Sequence, residues 1–219
     1  MMGSSDHPTE QPKVTSLADA TATWNSRFQE SAYLFGAEPN AYLRRHAGLW
    51  QPGQRVLSVA DGEGRNSVWL ARQGMNVDAF DISEVGVSKA RKLAEAAGVS
   101  VGFDVSDCDR WWWPMESYDG VAAIFVQFAD PPMRQRLFTK MIDCLKPGGI
   151  LVLQGYTPQQ LSYKTGGPSQ LSHLYTEAML RDAFAGMEIV ELLEYEDDLS
   201  EGTHHCGRSA LVGLVARKA

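Results

Sequence analysis

The sequence predicts an α/β domain built on a mostly parallel sheet, and three observations predict it. Short apolar runs alternate with helix-compatible stretches through most of the chain, the pattern of strands joined by crossover helices. The first clear run, RVLSVA at 55–60, opens into a turn holding Gly62 and Gly64. Late in the chain Gly148-Gly149 stops a helix and starts a further apolar run, as glycine does at a helix end.

The elements follow in order. Residues 1–19 are rich in Ser, Pro, Thr and charge with no apolar period, so they read as a mobile leader ahead of one domain over 20–219. The aromatic stretch 21–35 is helix-compatible, and Pro39-Asn40 opens a second short helix over 41–50 that stops before Pro52-Gly53. Both are accessory helices. Strand 55–60 is followed by helix 66–74, strand 76–81, helix 84–98, strand 99–103 and a polar loop. Strand 118–126, helix 131–146 and strand 148–156 come next. Thr176 caps a helix over 176–184, and strands 187–195 and 209–217 complete the pattern.

Composition narrows the function classes. With 219 residues, 44% hydrophobic and 21% charged, the chain suits one domain with a sizeable core and is too apolar for wholesale disorder. A net charge of −7 opposes binding to phosphate backbones and anionic membranes, so neither nucleic acid nor membrane is an expected partner. No apolar run approaches the roughly 18 residues of a membrane span. Cys108, Cys144 and Cys206 are widely spaced and form no C-x-x-C, which predicts reduced thiols and a cytoplasmic protein. Oligomeric state stays open.

The strongest segment is Val56-Leu57-Ser58-Val59-Ala60-Asp61-Gly62-Glu63-Gly64-Arg65-Asn66, a strand running through a turn into a helix. Glycines there permit positive φ and close approach of a ligand, beside the free N–H groups of the helix start. A tight turn with no ligand gives the same pattern. Asp81 favours the ligand, because it ends the second strand 19 positions after Gly62, the spacing of an acid that accepts hydrogen bonds from ribose hydroxyls. Gly62-x-Gly64-x-x-Ser67 comes close to the dinucleotide fingerprint as well, so the turn alone leaves NAD and S-adenosylmethionine open.

Leu145-Lys146-Pro147-Gly148-Gly149-Ile150-Leu151, which joins a helix to the fifth strand, resembles the post-helix loop of class I methyltransferases. A short-chain dehydrogenase would need Tyr-x-x-x-Lys, and none of the seven tyrosines has Lys four positions later. The spacing of the glycine turn, Asp81, Asp104-Val105 and this loop resembles a class I methyltransferase over nearly all of the chain after the leader. Trp24, Arg27-Phe28, Tyr33, Gly36 and Pro39-Asn40 ahead of the core, Gly62-Glu63-Gly64-Arg65-Asn66 in the turn, and Gly166-Gly167-Pro168 with Leu174-Tyr175-Thr176 resemble the subgroup of tellurite-resistance and thiopurine S-methyltransferases.

That resemblance implies a Rossmann-like class I methyltransferase fold: a seven-stranded, mostly parallel sheet with the last strand antiparallel, helices on both faces and N-terminal accessory helices. S-adenosyl-L-methionine would lie across the carboxyl ends of the first strands. Ala60, Asp61, Gly62, Gly64 and Asn66 would form its cradle, and Asp81 with Ile82 would hold the ribose. Asp104 and the Val105 backbone would read the adenine edge, with Phe125 at the end of the fourth strand. Trp24 and Arg27 would close over the methionine end, Arg27 facing its carboxylate. Against these stand plainer readings, in which Trp24, Phe28 and Tyr33 glue an accessory helix to the core and Asp104 is a solvated charge.

The chain departs from the family where an acid usually follows the first apolar pair: Ser58 stands there, and Ala60 replaces the first glycine. Asp61 is the acid available to face the cofactor's amino group in its place.

Methyl transfer is an in-line displacement, so alignment and exclusion of water are the protein's main tasks. A thiolate acceptor needs little else, whereas a hydroxyl or ammonium needs a base. His204 and His205, in Glu201-Gly202-Thr203-His204-His205-Cys206-Gly207, are the candidates, with a solvated surface loop as the alternative. Three consecutive ligands cannot face one ion without strain, so no metal is expected. Gln127 and Tyr156, just after the fourth and at the end of the fifth strand, sit where substrate meets the methyl group in this fold, or else cap their strands. The Trp111–Pro114 run reads as packing under the sheet edge ahead of an aromatic cage for a cationic substrate. The segment from Gln159 to Tyr175 reads as a lid. The sequence thus points to methyl transfer to a small molecule, a thiol or other chalcogen ahead of oxygen or nitrogen, with a non-catalytic cofactor-binding sensor or partner subunit as the alternative class.

Overall fold

A computed structural model describes residues 17–30, 32–202 and 205–219. Seven helices and seven strands are defined among them. The strands are β1 (Arg55–Val59), β2 (Asn76–Asp81), β3 (Gly102–Val105), β4 (Tyr118–Ile124), β5 (Leu145–Tyr156), β6 (Met187–Glu201) and β7 (His205–Lys218). They form one sheet in the order β3-β2-β1-β4-β5-β7-β6. Pairing is parallel from β3 to β5, and β7 runs antiparallel to both β5 and β6. The expected sheet, with its antiparallel last strand, is present.

The helices are α1 (Leu17–Arg27), α2 (Ala41–His46), α3 (Arg65–Arg72), α4 (Glu84–Ala97), α5 (Pro131–Cys144), α6 (Gln160–Tyr163) and α7 (Glu177–Ala183). Several starts are capped by side chains, but α5 ends at Cys144 and β5 begins at Leu145, so Gly148-Gly149 lie inside the strand segment and do not stop the helix as expected. Asn40, Ser83, Asp130 and Thr176 each accept a backbone N–H of the first turn of α2, α4, α5 and α7. α1 stops at Arg27, well short of the helix expected over 21–35, and α2 gives way to a 3₁₀ turn at Ala47–Leu49. Residues 1–16 of the expected leader lie outside the described residues, and α1 already begins at Leu17.

Alternation along the strands divides the core. Leu57, Val59, Val121, Leu151 and Leu214 face Leu137, Met141, Leu180 and Phe184 of the α5 and α7 layer. Val56, Val77, Ala122, Val152 and Val215 face Leu43, Trp50 and Leu70 on the other side. Trp111 and Trp113 pack on Phe80, at 4.7 and 5.5 Å between ring centroids, as the packing reading of this run requires. Trp112 departs from it and is exposed.

The last two strands are longer than the pattern predicted. β6 and β7 pair from Met187↔Lys218 out to Glu201↔His205, so the segment expected as a loop is the outer part of a hairpin projecting past the carboxyl end of β5. The extension escapes an apolar count because its residues, from Glu196 to Glu201, are mostly acidic.

Candidate functional site

The site begins in the turn after β1. Ala60, Gly62 and Gly64 have φ of 49°, 61° and 91°. Ala60 thus holds a left-handed conformation that costs a non-glycine residue about 1 kcal/mol. A Cβ on Gly64 would lie 2.7 Å from that of Ala90 on α4, so only glycine lets α3 start this close to its neighbour. Asp61 turns inward. It accepts from the Ser58 hydroxyl at 2.6 Å, from the Ser67 N–H at 3.3 Å and from the Ser67 hydroxyl. Burial pushes its pKa up to about 6, against the pull of those donors. In this arrangement Asp61 braces the turn, and is not the free charge expected beside a cofactor amino group. Asn66 is engaged as well, its Oδ1 accepting the Asn40 N–H at 2.9 Å.

Asp81 closes the other side of the turn. Its Oδ2 accepts the Gly62 N–H and its Oδ1 the Ser83 N–H, each at 2.9 Å, and burial raises its pKa to about 6. The Ile82 N–H also acts on this carboxylate, and the lone pairs of its two oxygens still leave room for a further donor. Ile82 follows it, half-buried.

Asp104 is elsewhere. Asp81 pairs with Val105 and Phe80 with Asp104, so by strand alternation the Asp104 side chain is on the opposite face from Asp81. There it is exposed and accepts from Trp111 Nε1 at 3.1 Å. The acid that reaches the Asp81 neighbourhood is Asp107, which is buried and accepts the N–H groups of Asp109 and Arg110 at 2.8 and 2.9 Å. Ser106 N–H donates to the Asp81 carbonyl. Burial pushes the neighbouring Cys108 thiol up, aided by the Asp81 and Asp107 carboxylates. Asp107 is not among the sequence candidates because the apolar pattern of the third strand stops at residue 103, which makes Asp104-Val105 the first residues beyond it. Val105, still within β3, is 44% exposed.

An N-terminal layer lies across the turn. Phe28 packs on Gly62, 3.3 Å from where its Cβ would be, and also stacks on Trp24 at 5.3 Å. The chain after α1 is held down by a half-buried lysine and a buried glutamate. Lys89 Nζ donates to the carbonyls of Phe28, Glu30 and Ala32 and pairs with Glu63, whose Oε2 accepts the Leu34 N–H. The Arg27 guanidinium lies 4.7 Å from the Trp24 ring centroid, half-buried, and has no ion pair among the described residues. Burial lowers its pKa.

The hairpin meets this layer. A Cβ on Gly202 would strike the Leu34 carbonyl and Gly36 N–H, so glycine permits the chain just after β6 to lie against the N-terminal chain. Glu201 Oε2 pairs with Arg65 at 2.8 Å, and its Oε1 accepts from Asn40 Nδ2 at 2.8 Å. His205 is 8% exposed, which removes it from the solvated surface. Its ring lies 4.4 Å from Phe35, 4.5 Å from Phe125 and 5.7 Å from Tyr156, and its Nδ1 is 3.7 Å from Glu201 Oε2. His204 lies outside the described residues.

Phe125, at φ 56°, stacks on Tyr156 at 4.7 Å. Among the described residues the Tyr156 hydroxyl is buried with no hydrogen-bond partner, an uncommon condition that marks a place where a donor or acceptor from outside is wanted, while His205 Nδ1, also without a formed hydrogen bond, faces the Glu201 carboxylate. Gln127 is committed to protein groups. Its Nε2 donates to the carbonyls of Tyr156 and His173 and its Oε1 accepts the Tyr156 N–H at 2.6 Å, so it clamps the ends of β4 and β5.

These residues fit the expected cofactor on two observations: the remaining acceptor capacity of Asp81 beside a glycine turn, and a half-buried Arg27 with no counter-ion among the described residues.

Residues 56–149 match the family model described as a methyltransferase domain. Among curated relatives, phosphoethanolamine N-methyltransferase 1 of Arabidopsis thaliana is 32% identical over 109 residues, which is 48% of this chain and 22% of that protein. The chain spans between about a fifth and two fifths of the length of the first curated relatives it matches. Among solved structures, a protein described for the conversion of a disulfide bond into a thioacetal group during echinomycin biosynthesis has a TM-score of 0.73 at 20% identity, covering 90% of this chain and 91% of that one. TehB from Haemophilus influenzae has a TM-score of 0.68 at 18% identity, covering 91% and 67%.

Proposed function

From the premise that this chain carries a methyltransferase domain on a class I fold, we propose that it binds S-adenosyl-L-methionine and transfers the methyl group to a small molecule. The observation that carries the reading is Asp81, a buried carboxylate with spare acceptor capacity, beside a turn whose glycines leave its backbone open. In this reading Asp81 accepts the ribose hydroxyls, Asp107 takes the adenine side, and Arg27 with Trp24 holds the methionine end. Bound there, the sulfonium supplies an electrophilic methyl group. The protein's own tasks are to fix its direction and to exclude water, and the ring wall of Phe35, Phe125 and Tyr156 serves both.

Two acceptor classes stay in view. A thiol or other chalcogen is preferred on the subgroup resemblance of the sequence. An oxygen or nitrogen acceptor is favoured by a specific feature, the buried His205 beside the Glu201 carboxylate, which an ionised thiol would not need. Calorimetric titration with S-adenosylmethionine and labelled-methyl transfer to a panel of thiols, hydroxyls and amines test the proposal together. Binding with transfer to at least one acceptor supports it. No binding refutes it, and binding without transfer to any class makes the chain a sensor or partner subunit.

A further inference from the structure

The sequence supplies one buried cluster that the cofactor site does not use: Glu201, Arg65, Asn40, Gln154 and Tyr195. Asn40 Nδ2 donates to both Gln154 Oε1 at 2.7 Å and Glu201 Oε1 at 2.8 Å. Gln154 Nε2 donates in turn to the Tyr195 hydroxyl at 2.6 Å. Arg65 closes the other side, pairing with Glu201 Oε2 and donating to the Phe35 carbonyl at 3.2 Å. The cluster joins the N-terminal chain, α2, α3, β5 and the hairpin at one carboxylate. Burying a charge this thoroughly is costly unless every lone pair is answered, and Glu201 is answered on both oxygens. Its own burial would raise its pKa, yet His205 and Arg65 outweigh that and hold it at about 2.

Such a cluster stabilises the hairpin, but its geometry has a chemical consequence at His205. His205 Nδ1 faces Glu201 Oε2 at 3.7 Å, longer than a formed hydrogen bond and short enough to decide which ring nitrogen carries the proton. A lone pair on Nδ1 would face a fixed negative charge, whereas an N–H there points at it. Among the described residues Nε2 makes no hydrogen bond, and the ring is walled by Phe35, Phe125 and Tyr156.

We infer that Glu201 is a positioning residue that holds His205 in the Nδ1–H tautomer, leaving Nε2 free to take the proton of a hydroxyl or amine acceptor. This rests on the methyl-transfer reading above and names the acceptor class within it. Nε2 removes the proton from the acceptor's O–H or, for an amine bound as its ammonium, from that N–H. The electron pair left on that oxygen or nitrogen forms the bond to the methyl carbon, while the old carbon–sulfur bond breaks with its pair kept on sulfur. The imidazolium that results is stabilised by Glu201 until it passes the proton to water. The apolar wall selects an acceptor with a planar or aromatic body, and the Tyr156 hydroxyl, without a hydrogen-bond partner among the described residues, is the hydrogen-bonding group such an acceptor would meet.

The charged and titratable groups packed against the imidazole are Glu201 from β6, Arg65 from α3, Arg27 from α1 and Tyr156 from β5. Burial lowers the His205 pKa most, Glu201 raises it, and the two arginines lower it further. Removing the carboxylate therefore lowers it again, and a merely structural role would not move it in that direction.

Nitrogen NMR of histidine-labelled apo protein reads the tautomer without any cofactor, with His205→Asn providing the assignment. At neutral pH wild-type His205 is expected as the neutral Nδ1–H form, and Glu201→Gln should convert it to a mixture. With an accepted hydroxyl or amine, Glu201→Gln should lower kcat about 10²-fold, within the range general-base catalysis contributes. It should change KM little and move the acid limb of the profile to lower pH, and Glu201→Asp should restore part of the rate. An Nε2–H tautomer in the wild type overturns the inference, as does an unmoved profile in Glu201→Gln. Because that variant strands Arg65, the double variant Glu201→Gln, Arg65→Gln tests the tautomer with both charges removed, and retention of pure Nδ1–H there also overturns it. Failure of the methyl-transfer reading shows separately, as absent cofactor binding in a protein whose tautomer is as expected.

Discussion

The Ser58 hydroxyl donates to Asp61 across 2.6 Å, so the residue standing where the family has an acid is bonded directly to the acid that stands three positions on. Ser67 completes the arrangement from α3. The carboxylate accepts from strand and helix together, and the turn between them carries the left-handed Ala60. Removing Ser58 deletes one donor, while altering Asp61 releases all of them. Asp61→Asn should therefore weaken cofactor affinity more than Ser58→Ala and should also lower the melting temperature more, since the neutral amide loses charge-assisted bonds worth about 1.5 to 3 kcal/mol each. Equal or reversed losses in calorimetric titration would show that the turn does not depend on this brace.

Asp81 makes a prediction about pH. Its pKa is raised to about 6 by burial, so in the free protein it is ionised above that value and protonated below it. A protonated acid must give up acceptor capacity to hold its own hydrogen, and cofactor affinity should fall as pH drops through about 6. Stability of the free protein runs the other way. The folded state binds a proton that the unfolded chain, with an ordinary carboxyl near 4, has already released, so stability should decline as pH rises from about 4 to 6. Asp81→Ala should fold, lose about 2 to 4 kcal/mol of cofactor binding and flatten the affinity profile. A steep profile retained in Asp81→Ala would assign the titration to another group.

How much of this was readable from residues alone follows physical lines. β2 was legible to the residue, Asn76–Asp81, because a buried parallel strand is a bounded apolar run. The turn and Asp81 were legible because glycine spacing and a strand-end acid are local signals. Asp107 was missed because β3 was ended too early in a short, exposed edge strand with little apolar signal. Arg65 and Glu201 were invisible as a pair for another reason: 136 positions separate them, and nothing in either local pattern announces a buried ion pair formed by a hairpin folding back. The length of α1 was overestimated because the aromatics after Arg27 continue the helical pattern. The structure uses Phe28 and Phe35 instead to cover the turn and His205.

The late segment divides into a part buried in the core and a part that covers Tyr156. Tyr175 is fully buried, donating to the Val126 carbonyl and packing on Phe138 at 5.8 Å, so it belongs to the core and not to a lid. Gly166 and Gly167 lie between α6 and the 3₁₀ turn at Leu171–His173, with φ of 135° and 82°, and Gly167 rests on the Tyr156 ring. Ordering of an acceptor pocket should therefore register at 163–169 and not at Tyr175. Hydrogen exchange with product cofactor bound should show added protection in that stretch only. Equal protection with and without ligand would make it a fixed cover over Tyr156.

His205 carries the most exposed claim. It is enclosed by three rings and a carboxylate, and burial, the largest influence, lowers its pKa below the ordinary value for histidine. It is therefore neutral and able to accept a proton at pH 7, the state a general base requires. His205→Ala should lower the single-turnover rate about 10² to 10⁴-fold with a hydroxyl or amine acceptor while leaving cofactor affinity unchanged. With a thiol the loss should be far smaller, and it should vanish as the pH rises past the thiol's own pKa, because the thiolate needs no base. His205→Gln separates chemistry from packing, since it keeps a polar side chain in the pocket but cannot serve as base near neutral pH. A wild-type rate for His205→Gln with every acceptor would reduce the histidine to part of the pocket wall.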